Sequence, residues 1–308
     1  MRRDLAMTGI EKIDIRRVAL IVLTCVVAHF FPYHLLLFSY AVLGPIHYLT
    51  QMSWLHDRDY YVRGRWLAPL FVVLTIFLLL YRSSDLTGIL LGAALVTAAA
   101  VVIAEDWRWR AAIMISGLLL TLLLAHFGMI VFIAVMLPTL IHVFLFTAVF
   151  MWVSAAQERK SGKFLAFAAL ILGAASFFLP LDTAVAQSSA AREFFGSLVD
   201  HMQSVLQLSA TYEAQLFGFL AFTFTYHYLY WLEKVEITNL RSVPKRRLIW
   251  IMIFYCVALI AYAVDYGVGF MLLALPSLLH VLLEFPLNVR SFFWLVRPHA
   301  AVESPPRE

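Results

Sequence analysis

The phrases LPTLIHVFLF at 137–146 and LPSLLHVLLEF at 275–285 each set a proline four residues before a histidine, inside long apolar runs. GPIH at 44–47 is a shorter version. Histidine in an apolar segment is costly and tends to be functional. Neutral imidazole is also a frequent ligand of iron, copper and zinc. Proline removes one helical hydrogen bond and kinks the helix, which can aim the next turn inward. Pro45–His47, Pro138–His142 and Pro276–His280 therefore read as one device used three times. Glu284 follows His280 by four residues, so the two share a helix face.

Such residues need helices to hold them. The chain has 308 residues, of which 63% are hydrophobic and 14% charged; a soluble domain is nearer half and a quarter. Its apolar blocks run to about 17–25 residues, enough to cross ~30 Å of hydrocarbon. In lipid every backbone amide needs an internal partner, so these blocks are helices. The expected fold is an all-α, polytopic integral membrane bundle of about ten transmembrane helices. The spans fall near 18–32, 33–55, 66–81, 86–104, 111–126, 129–153, 164–181, 214–232, 248–264 and 267–288. Residues 18–54 are either one long helix or two hinged at Pro32, and charge favours two.

Cytoplasmic loops collect Lys and Arg. With both termini cytoplasmic, every one of the 23 basic residues except Arg82 and Arg192 lies on the inner side. The net charge of +4 is then a topology signal, and no nucleic-acid partner is expected. Residues 1–308 read as one integral membrane domain. Its parts are a cytoplasmic segment 1–17, an outer loop 182–213 and a cytoplasmic tail 289–308. Within the outer loop Phe195, Leu198, Val199, Met202 and Leu206 lie at helical spacing, as in a helix resting on the membrane surface. Gly88 and Gly92 form a G-x-x-x-G that permits close helix approach.

At a rise of ~1.5 Å per residue, His227 lies ~9 Å from the inner end of its span, His47 ~14 Å, His280 ~15 Å and His142 ~18 Å. All four sit on spans running in the same direction. His47, His142, His227 and His280 are thus candidate metal ligands in the inner leaflet, with Glu284 as ligand, orienting base or proton relay. His56 and Asp57 stand at the inner mouth of the second span, where protons or water would enter. Each histidine taken singly also reads as an ordinary interhelical hydrogen bond. Four at one depth beside an acid read better as a site.

Four histidines suit non-haem iron, zinc or copper; two on facing helices could instead hold a haem. No C-x-x-C-H, H-E-x-x-H, G-x-S-x-G or P-loop pattern occurs. Cys25 and Cys256 lie in apolar blocks and form no thiolate site. Span eight, FGFLAFTFTYHYLYW, surrounds His227 with aromatics. Phe224 and Tyr226 are its candidates for lining a slot for a polyene or isoprenoid tail, against a plain reading as packed core.

These phrases resemble the bacterial membrane β-carotene 15,15′-dioxygenases of the Brp/Blh type. GPIHYLTQ at 44–51, AHFGM at 125–129, TYHYLYW at 225–231 and LPSLLHVLLEF at 275–285 are similar to that family's histidine phrases. The resemblance implies iron held by His47, His126, His227 and His280, a lipophilic substrate, membrane lipid as surroundings, and the bacterial inner membrane as location. It departs where the family has a Gly and Asp after the first histidine, and a spaced pair in the later segment. His126 falls at an outer turn, so depth favours His142 in its place. The expected function is a histidine-ligated membrane metalloenzyme, an Fe(II) oxygenase or oxidase. The alternatives are a transporter or channel with a histidine relay, and a noncovalent haem electron-transfer protein.

Overall fold

The computed structural model describes residues 9–57, 66–81, 84–129, 136–158, 160–179, 187–237 and 243–296. The described elements are helical throughout. They are α1 (Gly9–Phe30), α2 (Pro32–Phe38), a π-helical turn (Ser39–Leu43), α3 (Gly44–Asp57), α4 (Leu67–Leu80), α5 (Ser84–Ile103), α6 (Trp107–His126), a longer π-helix (Leu137–Phe146), α7 (Thr147–Glu158), α8 (Ser161–Ser176), α9 (Ser189–Leu206), a 3₁₀ turn (Ala210–Tyr212), α10 (Glu213–Ile237), α11 (Lys245–Val264) and α12 (Tyr266–Val296).

Among the described residues, five helical stretches are long and apolar enough to cross a bilayer: Asp85–Ile103, Trp107–His126, Thr139–Gln157, Lys245–Val264 and Tyr266–Phe293. Leu67–Leu80 and Ser161–Ser176 are apolar but shorter. The chain is a membrane protein by this measure.

The ends of the helices follow from their residues. Between α1 and α2 the hinge is at Phe31, whose φ of −131° and ψ of 50° leave the helical region. Pro32 then starts α2, where its missing N–H costs nothing. Asp106 accepts from the Arg108 amide at 3.0 Å and caps α6. Ser188 caps α9, which ends at Gln207 in the left-handed region with φ 52°. The buried face of α9 carries Phe195, Leu198, Val199 and Met202. Leu206, expected on that face, is 48% exposed because it is the last helical residue before the turn.

The chain divides into two compact units, each built from two separate stretches of sequence. Unit 1 comprises 1–39 and 144–230; unit 2 comprises 40–143 and 231–308. In unit 1, α1 and α7 pack on α8, and α9 packs on α2. Tyr33 packs against Phe217 with ring centroids 4.5 Å apart.

In unit 2, α12 is the central helix, in contact with α3, α4, α5 and α11. Its Val281, Leu282, Leu283 and Phe285 form one core with Leu55, Phe71, Leu78, Leu91 and Ala98. α5 also packs on α6. A Cβ at Gly92 would come within 2.9 Å of the Thr121 methyl, and one at Gly117 would collide with Val96. The second glycine of the G-x-x-x-G therefore serves an approach within the chain.

The α3–α12 pair carries the site. His47 meets His280 and Gln51 meets Glu284. Both pairs are 233 positions apart, so the two helices run parallel in constant register. The same register sets Leu55 level with Asn288.

Candidate functional site

Three of the expected ligands meet in unit 2. The rings of His47 and His280 lie 5.3 Å apart, centroid to centroid, and those of His142 and His280 5.2 Å apart. Glu284 Oε2 is 3.6 Å from His142 Nε2. Gln51 Nε2 donates to the same carboxylate oxygen at 2.5 Å. None of His47, Gln51, His142, His280 and Glu284 is more than 4% exposed. A carboxylate buried so fully costs several kcal/mol unless it is compensated.

The backbone prepares these positions. The π-helical turn Ser39–Leu43 ends just before Gly44 and Pro45, and His142 itself lies within the π-helix Leu137–Phe146. π-turns cluster at functional sites and rotate later side chains relative to a regular helix. Here two of the three proline–histidine phrases adjoin or contain π-helix. Pro276, by contrast, lies inside the continuous helix α12.

Aromatic rings close the site against water. Tyr48 stacks on His280 with centroids 4.6 Å apart. Trp231 presents its edge to His47 at 5.9 Å and to Trp54 at 5.3 Å. The Trp231 indole donates to Thr50 at 3.0 Å, and Thr50 donates to Ile46 O at 2.6 Å. Gly44 makes room for this wall, since a Cβ there would land on the Tyr48 hydroxyl. On the far side of the turn, Tyr40 shares a hydroxyl hydrogen bond of 3.2 Å with Ser277.

The other candidates have these surroundings. His227 belongs to unit 1, where its Nδ1 shares a 2.8 Å hydrogen bond with Thr147. His126 is exposed at the last residue of α6, edge-on to Phe127. Phe224 and Tyr226 are buried in unit 1 within an aromatic ladder: Phe224 meets Tyr228 at 6.0 Å, and Tyr226 meets Tyr230 at 5.9 Å. The Tyr226 hydroxyl reaches Met151 Sδ at 3.6 Å. His56 and Asp57 are exposed at the end of α3. Arg247 donates to Asp57 at 2.5 Å and to Ser53 at 3.3 Å.

Sequence reasoning passed over Gln51, because an amide is not a usual ligand. Its signal was present: Gln51 follows His47 by four residues, as Glu284 follows His280.

Three imidazoles and a carboxylate are side-chain types that can ligate transition metals. Two imidazoles on one tetrahedral zinc- or iron-sized ion have ring centroids about 5.2 Å apart, given metal–nitrogen bonds of about 2.0–2.1 Å. Ring pairs at 5.2–5.3 Å and near-perpendicular planes are also the ordinary edge-to-face packing of aromatic side chains. Among the described residues, no group of three or more His, Cys, Asp or Glu is disposed to hold a metal ion.

Compared with protein-family models, curated proteins and solved structures, the chain matches none.

Proposed function

We propose that this chain is a multi-pass, histidine-ligated membrane metalloenzyme: a non-haem iron oxygenase or oxidase that acts on a lipophilic, carotenoid- or isoprenoid-like substrate. The observation that carries this reading is the group His47, His142, His280 and Glu284, buried together in unit 2. His47, His142 and His280 would hold the ion, and Glu284 would balance its charge from beside His142. The ion would supply dioxygen activation. The chain's own residues would bind and shield it: Gln51 fixes the Glu284 carboxylate, while Tyr48 and Trp231 fix the rings and keep bulk water out. His227, with Thr147, and the exposed His126 are lesser candidates. A haem held by two of these histidines is the alternative cofactor.

The remaining parts of the reading are ten spans, cytoplasmic ends and a bacterial inner-membrane location. The asymmetry of Lys and Arg supports them.

A second reading has its own observation. Gln51, Glu284 and His142 form a chain of polar contacts, as in the histidine relay of a transporter.

Metal analysis of protein purified without chelator separates the readings. The enzyme reading expects about one equivalent of iron or a similar metal and no Soret band; below about half an equivalent the relay is favoured. A Soret band would point to haem instead.

A further inference from the structure

Asn288 is fully buried, and neither its amide nitrogen nor its amide oxygen has a hydrogen-bond partner among the described residues. It follows Glu284 by four residues on α12, one turn further along the same face. The α3 residue at its level is the apolar Leu55, also fully buried, so α3 offers the amide nothing there. Gln51 is in a similar state: its nitrogen serves Glu284, while its buried oxygen has no partner among the described residues. A buried amide of this kind is normally served by ordered water.

Solvent is close. The register of α3 on α12 puts the exposed Asp57 level with residue 290. Asn288 is then ~3 Å deeper along the helix axis, Glu284 ~6 Å deeper again, and His280 ~6 Å beyond that. Asn288 lies between the ion pair of Asp57 with Arg247 and the buried carboxylate.

We propose that Asn288 seats a buried water that links the Gln51–Glu284 pair to the exposed end of unit 2. Asn288 Nδ2 offers two protons and Oδ1 two lone pairs, so a water can accept from Nδ2 or donate to Oδ1. That this water supplies a metal centre rests on the reading under Proposed function; that it is bound does not.

X-ray hydroxyl-radical footprinting of the full chain in detergent tests the seat, because radicals formed at a bound water label even buried neighbours. Leu55 and Phe285 flank Asn288. They should label at least about fivefold faster than Phe71 and Leu91, which are equally buried in the same core. Asn288→Leu should bring them down to the rate of that reference pair. Equal labelling of the two pairs in the wild type overturns the seat, whether or not the variant folds. Labelling that persists unchanged in a folded Asn288→Leu overturns it too. The experiment is run on chelator-treated and untreated protein. Labelling at Leu55 and Phe285 in both, with no metal found in either, upholds the water and removes only the metalloenzyme.

Discussion

The His29 cluster of unit 1 and the histidine group of unit 2 both place polar side chains within apolar helices, and they differ in where their short contacts run. In unit 1, His29 Nδ1 bonds to Cys25 O at 2.9 Å on its own helix, and Ser176 donates to Gly173 O at 2.7 Å on its own helix. Contacts between the helices are long: Cys25 Sγ to Ser176 Oγ is 3.6 Å, and Ser176 Oγ to His29 Nε2 is 3.5 Å. The ring stacks on Phe177 at 4.0 Å. Each group is satisfied locally, so this cluster is packing. In unit 2 the short contact runs between helices, from Gln51 on α3 to Glu284 on α12, and His280 meets both His47 and His142 edge to face. Polar groups that depend on other helices are expensive to assemble, and this is where a function is to be sought.

The sharpest way to break this contrast is to remove one ring from each cluster. His280→Ala should abolish bound metal, a loss larger than the ~10–100-fold that a metal site suffers when a supporting hydrogen bond goes. His29→Leu should leave metal content unchanged and lower stability by about 0.5–1.5 kcal/mol, the worth of one hydrogen bond. Metal analysis and thermal melts of both variants read these outcomes. If His29→Leu strips the metal and His280→Ala does not, the two clusters have been assigned the wrong way round.

Glu284→Gln comes next. It keeps the shape and removes the charge, and should weaken metal retention about 10–100-fold in a chelator competition. Retention equal to wild type would place Glu284 outside the site.

Gly44→Ala has the smallest effect on metal. The added methyl meets the Tyr48 hydroxyl, so the ring must leave its stack on His280 or the helix must shift. A cost of about 1–3 kcal/mol is expected, visible as a lower melting temperature. Restored stability in Gly44→Ala with Tyr48→Phe would show that the hydroxyl is the point of contact.

Much of this was legible in the residues. Hydropathy and length give helices because lipid permits nothing else, and Pro32 marks the hinge because it cannot donate. The spacing of Phe195, Leu198, Val199 and Met202 gives the buried face of α9. Depth counting brings His47, His142, His227 and His280 to one level, and the structure shows His280 beside both His47 and His142. The same count does not tell which unit a helix joins; His227 belongs to unit 1. The π-helical segments at 39–43 and 137–146 leave no hydropathy signal, since one extra residue in a turn changes rotation without changing composition. The pairing of Gln51 with Glu284 was hidden because it depends on the register of α3 against α12, which a single chain does not display.

The most direct measurement is X-ray absorption at the metal edge of protein purified in detergent without chelator. Our account predicts a bound first-row metal with nitrogen and oxygen neighbours at about 2.0–2.2 Å and the scattering pattern of about three imidazoles. A metal-free protein, or a metal whose surroundings show no imidazole, would contradict it.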